Sequence, residues 1–391
     1  MFRMFKEQYP NSRCGEAVYR QIFNNEFNIA FGFPRKDTCS TCDELNMKKE
    51  HLLAKLKLNN LSDADKTTAE KELESTKKEH DTHRRRAQVF YDRKKQARQS
   101  SKSSKDTLAV AFDFWKNLPC PNVTTNDVYY RRQLSFYTFN VHILSSNNVF
   151  LYCYDETVAK KGADDVTSML YDFFFNKIAD DVRKLQLFCD GCAGQNKNYT
   201  VFRFLHYCVH KANRFDSIVL HFPIRGHSYM ECDSDMGPVN QRAPAETPVE
   251  WCDILKIARE KPMPFNVVPV TIEHFFGFTA FLKPFYKAAN PIATRPVREI
   301  HIDSSCPDLI KHRNSWNGQL ESAVVIKPRL NENSRRHSFA ALKHAYTKPV
   351  DISAAKFADL QVLKKFCSVK NRSYFDTLIH ANRDSDGEIS E

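Results

Sequence analysis

"LFCDGCAGQNKN", Leu187 to Asn198, is the stretch from which the fold can be read. A short apolar run beginning at Lys184 ends on Asp190, turns through Gly191 and Gly194, and gives way to amides and a lysine. A buried strand that stops on a charge points to a crevice, because in open α/β sheets functional groups gather at the carboxyl ends of the strands. The two glycines let the backbone turn tightly beside a substrate there. Outward from this stretch, "LAVAFDF" (Leu108 to Phe114) is a second apolar run, interrupted by Asp113. "QLSFYTFNVHIL" (Gln133 to Leu144) and "NVFLYCYDE" (Asn148 to Glu156) alternate as strands do, and "SSNN" between them suits a hairpin turn. "GADDVTSMLYDFFFNKIADD" has helical spacing, with Met169, Leu170, Phe173 and Phe174 on one side. "QNKNYTVFRFLHYCVHKA" reads as a helix, "FDSIVLHFPI" as a strand, and "DMGPVNQ" and "PVEWCDILKIAREK" as helices. Three strands followed by alternating helices and strands predict a mixed α/β fold with helices on the faces of one sheet.

The acids fall where that topology places a crevice. Asp113 interrupts the first strand and Asp190 ends the fourth, while "GHSYMECDSDMG" supplies Glu231, Asp233 and Asp235 at the entry to a helix. Carboxylates crowded at one sheet end repel each other unless a cation sits between them. Hard oxygen ligands in that arrangement suit Mg²⁺ or Mn²⁺, which can activate a water or a 3′-hydroxyl against a phosphodiester. Each acid alone also reads as a turn former or helix cap, Asp233 as the cap of the helix that follows. His227 reads either as structural or as orienting a water or phosphate. Cys192 reads as a packed thiol rather than a nucleophile, because no orienting partner is evident, and "GCAGQNKN" lacks the GxxxxGK[ST] pattern of a nucleotide-binding loop.

The N-terminal third carries a second constellation. "DTCSTCDEL" places Cys39 and Cys42 at the spacing that lets two thiolates chelate one zinc. Helix formers run from Asp43 to Leu58, "NNLS" breaks them, and Ser62 with Asp65 reads as the capping box of a second helix. An antiparallel hairpin of such helices brings His80 back beside Cys42, with His83 one turn on along the same face. The expected zinc set is therefore Cys39, Cys42, His80 and His83, with Cys14 and His51 as spare donors. The competing expectation is an exposed hairpin with free thiols and solvated histidines. Arg84 to Lys105 carries nine basic residues against the single acid Asp92, which suits a phosphate-binding or nuclear-import helix as well as a solvated one. "SSKSSK" (Ser100 to Lys105) reads as a flexible domain joint.

These motifs together resemble a known family. "DTCSTCDEL", "HRRRAQVFY", "FCDGCAGQNKN", "GHSYMECDSDMG" and "ISAAKFADLQVLKKF" are similar to an uncharacterised family of transposon-derived proteins of animal genomes, over about Tyr19 to Phe375. The order of elements around Asp113 and Asp190 resembles the ribonuclease H-like fold of DDE/DDD transposases and retroviral integrases. The resemblance implies Asp113 and Asp190 as the first two Mg²⁺ or Mn²⁺ ligands and Asp233 as the third, with Asp235 next and Glu231 last. It implies a DNA partner, a nuclear or shared nuclear and cytoplasmic location, and homo-oligomerisation. Two functions follow: a metal-dependent strand-transfer or nuclease enzyme, or a transposase descendant that has lost the chemistry and binds or scaffolds at DNA.

Composition is permissive of both. Hydrophobic residues make up 42% of 391, enough for a real core, and 58 Lys+Arg against 47 Asp+Glu leave +11, which favours polyanionic partners. The first residues lack the apolar core of a signal peptide and no apolar run is long enough to span a bilayer, so the expectation is a soluble chain, neither secreted nor membrane-bound. In a reducing compartment its twelve cysteines are core thiols and metal ligands rather than disulfides. The expected organisation is a helical, zinc-stabilised region over 1–105, a ribonuclease H-like domain over 106–262, a small α+β accessory region over 263–380 and an acidic disordered tail over 381–391. In the accessory region "FTAFLKPFY", "VREIHID" and "AVVIKPRL" read as strands, and "SAAKFADLQVLKKF" as a helix with Phe357, Leu360, Leu363 and Phe366 facing one way.

Overall fold

The computed structural model describes residues 2–27, 38–58, 61–239, 245–328 and 338–381. Most of the expected tail and the basic segment at 329–337 lie outside them. Two short helices, α1 (Phe2–Gln8) and α2 (Glu16–Glu26), open the chain and bury no residue. The hairpin follows as α3 (Ser40–Leu56) and α4 (Asp63–Ser103). Ser62 caps α4 as its sequence predicts: its Oγ accepts the Asp65 N–H at 3.2 Å and donates to the Asp65 carboxylate at 2.6 Å. Leu52, Ala69 and Leu73 form the seam between the two helices.

The expected joint at "SSKSSK" is instead the last turn of α4, which runs for 41 residues into the first strand. The physical reason lies upstream. Phe90 and Ala97, seven residues apart on one face of α4, are buried against Ala109, Ala111, Phe188 and Trp316 of the central body. Unwinding the helix would expose that face, so packing overrides the weak helix propensity of the serines.

The sheet has ten strands, in the order β10-β9-β8-β6-β5-β1-β3-β4-β7, with β2 pairing to β3. Its centre comprises β1 (Thr107–Phe114), β2 (Leu118–Cys120), β3 (Leu134–Ile143) and β4 (Asn148–Asp155), with the one-turn helix α5 (Asp127–Tyr130) between β2 and β3. Helix α6 (Ala163–Asp172) leads to β5 (Lys184–Phe188), and α7 (Tyr199–His210) leads to β6 (Ser217–His221). The β1/β3 and β3/β4 pairs are antiparallel, whereas β1/β5 and β5/β6 are parallel. Alternation then sorts the faces. Val110, Phe112 and Phe114 point toward α6 and α7 in the main core, while Ala109 and Ala111 point toward α4. Two alanines at that spacing let a long helix lie close on the sheet.

Beyond β6 come α8 (Glu231–Met236), α9 (Pro248–Ile257) and β7 (Asn266–Pro269), which adds to the free edge of β4 in parallel. The accessory region is thus not a separate appendage. Strands β8 (Glu299–Asp303), β9 (Leu309–Arg313) and β10 (Glu321–Val324) continue the same sheet from β6 in an antiparallel run. The segment read as the strand "FTAFLKPFY" forms helix α10 (Phe278–Leu282), because Phe278, Phe281 and Leu282 are buried at i, i+3 and i+4. Helices α11 (Ala354–Leu363) and α12 (Val369–Asp376) pack Leu360 and Phe375 into a second cluster with Phe136 and Trp251. Leu363 is buried as expected, but Phe366 is exposed, because the helix tightens to a 3₁₀ turn over Lys364–Phe366.

One buried anion ties α4 to the far side of the sheet. Glu299, at the start of β8, is fully buried, forms ion pairs with Arg93 of α4 (2.9 Å) and Arg313, and lies 3.0 Å from His221 Nδ1 and 3.1 Å from His301 Nε2. Among the described residues no helix is long and apolar enough to cross a membrane.

Candidate functional site

The register of β1 and β5 brings the first two acids together. Ala111 pairs with Phe188, and the same offset continued by two residues sets Asp113 level with Asp190 at the carboxyl ends of the two strands. Asn196, fully buried, bridges them: its Nδ2 donates to Asp190 Oδ1 at 2.7 Å and to Asp113 Oδ1 at 3.2 Å. Asp190 also accepts the Cys192 N–H at 3.1 Å, and Asp113 accepts the N–H of Phe114 at 2.8 Å. Burial first, and then the charge of Asp190, push the Asp113 carboxyl well above its ordinary value. The Oδ1 of Asn196 is buried with no hydrogen-bond partner. A divalent cation beside the two acids relieves their repulsion and gives hard oxygens a partner, so these residues fit a Mg²⁺ or Mn²⁺ site. Lys161 shares this end of the sheet, with its ammonium over the rings of Phe114 and Tyr137 (4.6 and 5.2 Å).

The other acids have different tasks. Asp233 Oδ2 accepts the N–H of Met230, closing the first turn of α8, and its charge adds to the upward push on Asp113. Asp235 is buried in an ion pair with Arg259 (3.0 Å) and held by His142 Nδ1 (2.7 Å) and Asn140 Nδ2 (3.0 Å), so it is a structural anion and not a metal ligand. Glu231 pairs with Lys94 and Arg98 of α4. Asp113, Asp190 and Asp233 do not bring their oxygens within 4.8 Å of one another.

A second site stands at the same end of the sheet. Cys39, Cys42, His83 and His227 place one ligand atom each within 4.8 Å of the others, the one such group among the described residues. Cys39 Sγ lies 3.2 Å from His83 Nε2, Cys42 Sγ 3.4 Å from His227 Nε2, and the two Nε2 atoms 3.0 Å apart. The four can hold a metal ion. Burial, then Cys39, push the Cys42 thiol up, and burial, then His83, push the His227 imidazole down. A cation favours the thiolates and the neutral rings at once.

His80, expected as the fourth ligand, is not in this group. It sits buried one turn back on α4, with its Nδ1 2.9 Å from Lys49 Nζ, and burial lowers its basicity. The fourth position is taken by His227, on the loop after β6, whose carbonyl accepts the Tyr91 hydroxyl of α4 at 2.9 Å. Gly226 permits the approach. Its φ is +79°, and a Cβ there would stand 2.6 Å from Cys39 Cα. Gly226→Ala is expected to lower stability by about 3 kcal/mol and to weaken metal retention, read by denaturant unfolding with metal analysis.

Between the two sites lies a cavity of about 630 Å³ lined by Asp190, Lys197, Arg225, Gly226, Arg295 and Arg298, among others. Lys197 is buried, donates to the Arg295 carbonyl at 3.0 Å and lies 4.8 Å from the Phe222 ring; burial, then Arg298, lower its pKa to about 8. Asn196, Lys161 and these arginines were not anticipated from sequence. Only the amide-rich "QNKN" after Asp190 signalled any of them.

Residues 141–314 match the family model described as "Domain of unknown function (DUF7869)". That span starts within β3 and ends just after β9, so it includes Asp190, His227 and the arginines but not Asp113 or the cysteine pair. No curated protein matches the chain. No solved structure matches it either.

Proposed function

We propose that this chain is a transposase-derived nucleic-acid-binding protein with a ribonuclease H-like core, in which Asp113 and Asp190 hold Mg²⁺ or Mn²⁺ for phosphodiester chemistry. The observation that carries this reading is the pair itself: two carboxylates level on adjacent parallel strands, sharing one buried amide. The central strands β4-β3-β1-β5-β6, an antiparallel meander followed by two parallel strands each reached through a helix, are the arrangement expected of that fold. When bound, the ion supplies a polarised water or hydroxyl and stabilises the leaving oxygen. The chain's part is to hold the two carboxylates level through the β-register and to fix Asp190 with the Asn196 amide and the Cys192 N–H.

The Cys39, Cys42, His83, His227 group is in this reading a structural zinc site. Thiolate and imidazole donors select zinc over hard cations. A tetrahedral zinc shell has N–N and S–N edges of about 3.3 and 3.6 Å, close to the observed separations. Four protein ligands leave no open position, so the ion serves folding.

The test is calorimetric Mn²⁺ titration in zinc-replete buffer, on wild type and on Asp113→Asn/Asp190→Asn, both checked for folding. Binding in the micromolar range that the double variant loses is the expected result. Equal binding in both proteins, or none in either, overturns the metal-dependent reading.

A second reading, DNA binding or scaffolding without chemistry, is favoured by one observation: the acids after β6 are engaged elsewhere, Asp233 at the start of α8 and Asp235 with Arg259. Mn²⁺-dependent nicking of supercoiled plasmid, abolished in the double variant, excludes it.

A further inference from the structure

We infer that the cavity beyond Asp190 is a phosphate seat, in which Arg225, Arg295 and Arg298 grip the backbone of a nucleic acid whose neighbouring phosphodiester lies at Asp190. The inference rests on the reading of the chain as a nucleic-acid binder and adds where and how the strand is held. The cations come from separate parts of the chain. Arg225 belongs to the loop after β6, whereas Arg295 and Arg298 precede β8. Bringing three guanidinium groups and the Lys197 ammonium to one concavity is unfavourable unless an anion occupies it.

None of the three arginines has a carboxylate partner among the described residues, in contrast to Arg93, Arg183, Arg259 and Arg313. Arg298 is the most telling: it is half-buried and burial lowers its pKa, yet among the described residues its side chain makes one hydrogen bond, from Nη1 to the Pro223 carbonyl at 3.4 Å. Lys197 Nζ donates to the Arg295 carbonyl and so holds that loop, while its charge adds to that of the arginines. The planar forks of arginine match phosphate oxygens in pairs, and the volume is in the range of nucleotide-sized sites. Asp190, the one acid in the lining, marks the end of the cavity that faces the carboxylate pair. Gly226 and Ser228, which flank the ligand His227, form the opposite wall. A phosphate monoanion in a chain and a free polyphosphate share this chemistry, and the experiment separates them.

The experiment is fluorescence anisotropy with a fluorescein-labelled DNA duplex, in zinc-replete buffer without Mg²⁺, over a series of salt concentrations. Wild type is compared with Arg225→Ala/Arg295→Ala, whose side chains are exposed, with Arg225→Lys/Arg295→Lys, and with Asp113→Asn/Asp190→Asn. Circular dichroism and zinc content establish folding. The alanine pair is expected to lose on the order of tenfold in affinity and about two units of the slope of log K against log salt, and the lysine pair to recover most of the slope. The asparagine pair, which removes negative charge from the seat, is expected to bind as tightly as wild type or tighter. An unchanged slope in the alanine pair overturns the seat even if Mn²⁺ binding behaves as proposed. Mn²⁺ binding that Asp113→Asn/Asp190→Asn retains, or that wild type lacks, with the arginine effect intact, overturns the carboxylate reading and leaves the seat. Pyrophosphate that displaces the duplex at concentrations below those of the DNA phosphate reassigns the seat to a free phosphate ligand and overturns the nucleic-acid form of the inference.

Discussion

His227→Ala is expected to release one zinc per chain and to lower the unfolding midpoint by roughly 10 °C, whereas His80→Ala is expected to retain the metal. The argument begins with what the four ligands join. Cys39 and Cys42 stand at the start of α3, His83 lies on α4, and His227 is on a loop that follows the sixth strand. A metal held by all four cross-links the hairpin to the sheet, so its binding free energy stabilises the assembly of the two. A ligand present at a thousandfold over its dissociation constant contributes about 4 kcal/mol, and a few degrees per kcal/mol is usual for domains of this order of size. With His227 gone the remaining three ligands all belong to the hairpin, and the loop is freed from it. His80 packs beside Lys49 and is not a member of the four-ligand group. Metal analysis by inductively coupled plasma spectrometry, with scanning calorimetry, reads both variants. Full zinc occupancy in His227→Ala, or its loss in His80→Ala, contradicts the assignment.

The second large effect belongs to Glu299. Glu299→Gln preserves shape and removes the charge that faces Arg93, Arg313 and two histidines, and is expected to cost about 3 kcal/mol, because unpairing a buried ion costs more than the pair contributes. Arg93 keeps a bond to the Trp316 carbonyl and a place near its ring, which softens the loss. The pH dependence has a definite sign. Burial alone would raise the Glu299 carboxyl, but the surrounding His221 and His301 hold it well below the ordinary carboxylate value. A carboxyl depressed in the folded state stabilises above its unfolded pKa of about 4.3 and loses that contribution as pH falls below it. Urea unfolding from about pH 7 to pH 3 should therefore show the gap between wild type and Glu299→Gln closing as the solution becomes acid. A gap that widens on acidification contradicts the network.

The strands of the centre were legible as short apolar or alternating runs bounded by turn residues. Asp113 and Asp190 were expected at one crevice from their places in the first and fourth strands, but that they stand level is set by the β1/β5 register. Other parts were hidden for identifiable reasons. The hairpin geometry led to Cys39, Cys42 and His83, but local spacing has no means of finding His227 at 144 residues from His83; the only local mark was the glycine before it. His80 was chosen because it shares a helix face with His83, yet that turn of α4 faces Lys49 of α3. The serine-rich end of α4 looked like a joint because composition outweighed the alanine and phenylalanine spacing that seats the helix. Asp235 keeps the appearance of a ligand because its partners lie on two distant segments, Asn140 and His142 on β3 and Arg259 after α9. The arginines that line the cavity sit in loops with no pattern, and their convergence follows from the way β6 and β8 pair.

The metal clamp also bears on how the protein is made. A ribosome releases Cys39, Cys42 and His83 early, but His227 emerges 144 residues after His83. At about 5–20 residues per second that interval is roughly 7–30 s, during which the nascent hairpin holds an incomplete, three-ligand shell. On the zinc reading, metal captured then would be open to exchange and to competing thiols until the sixth strand and its loop arrive to close the shell.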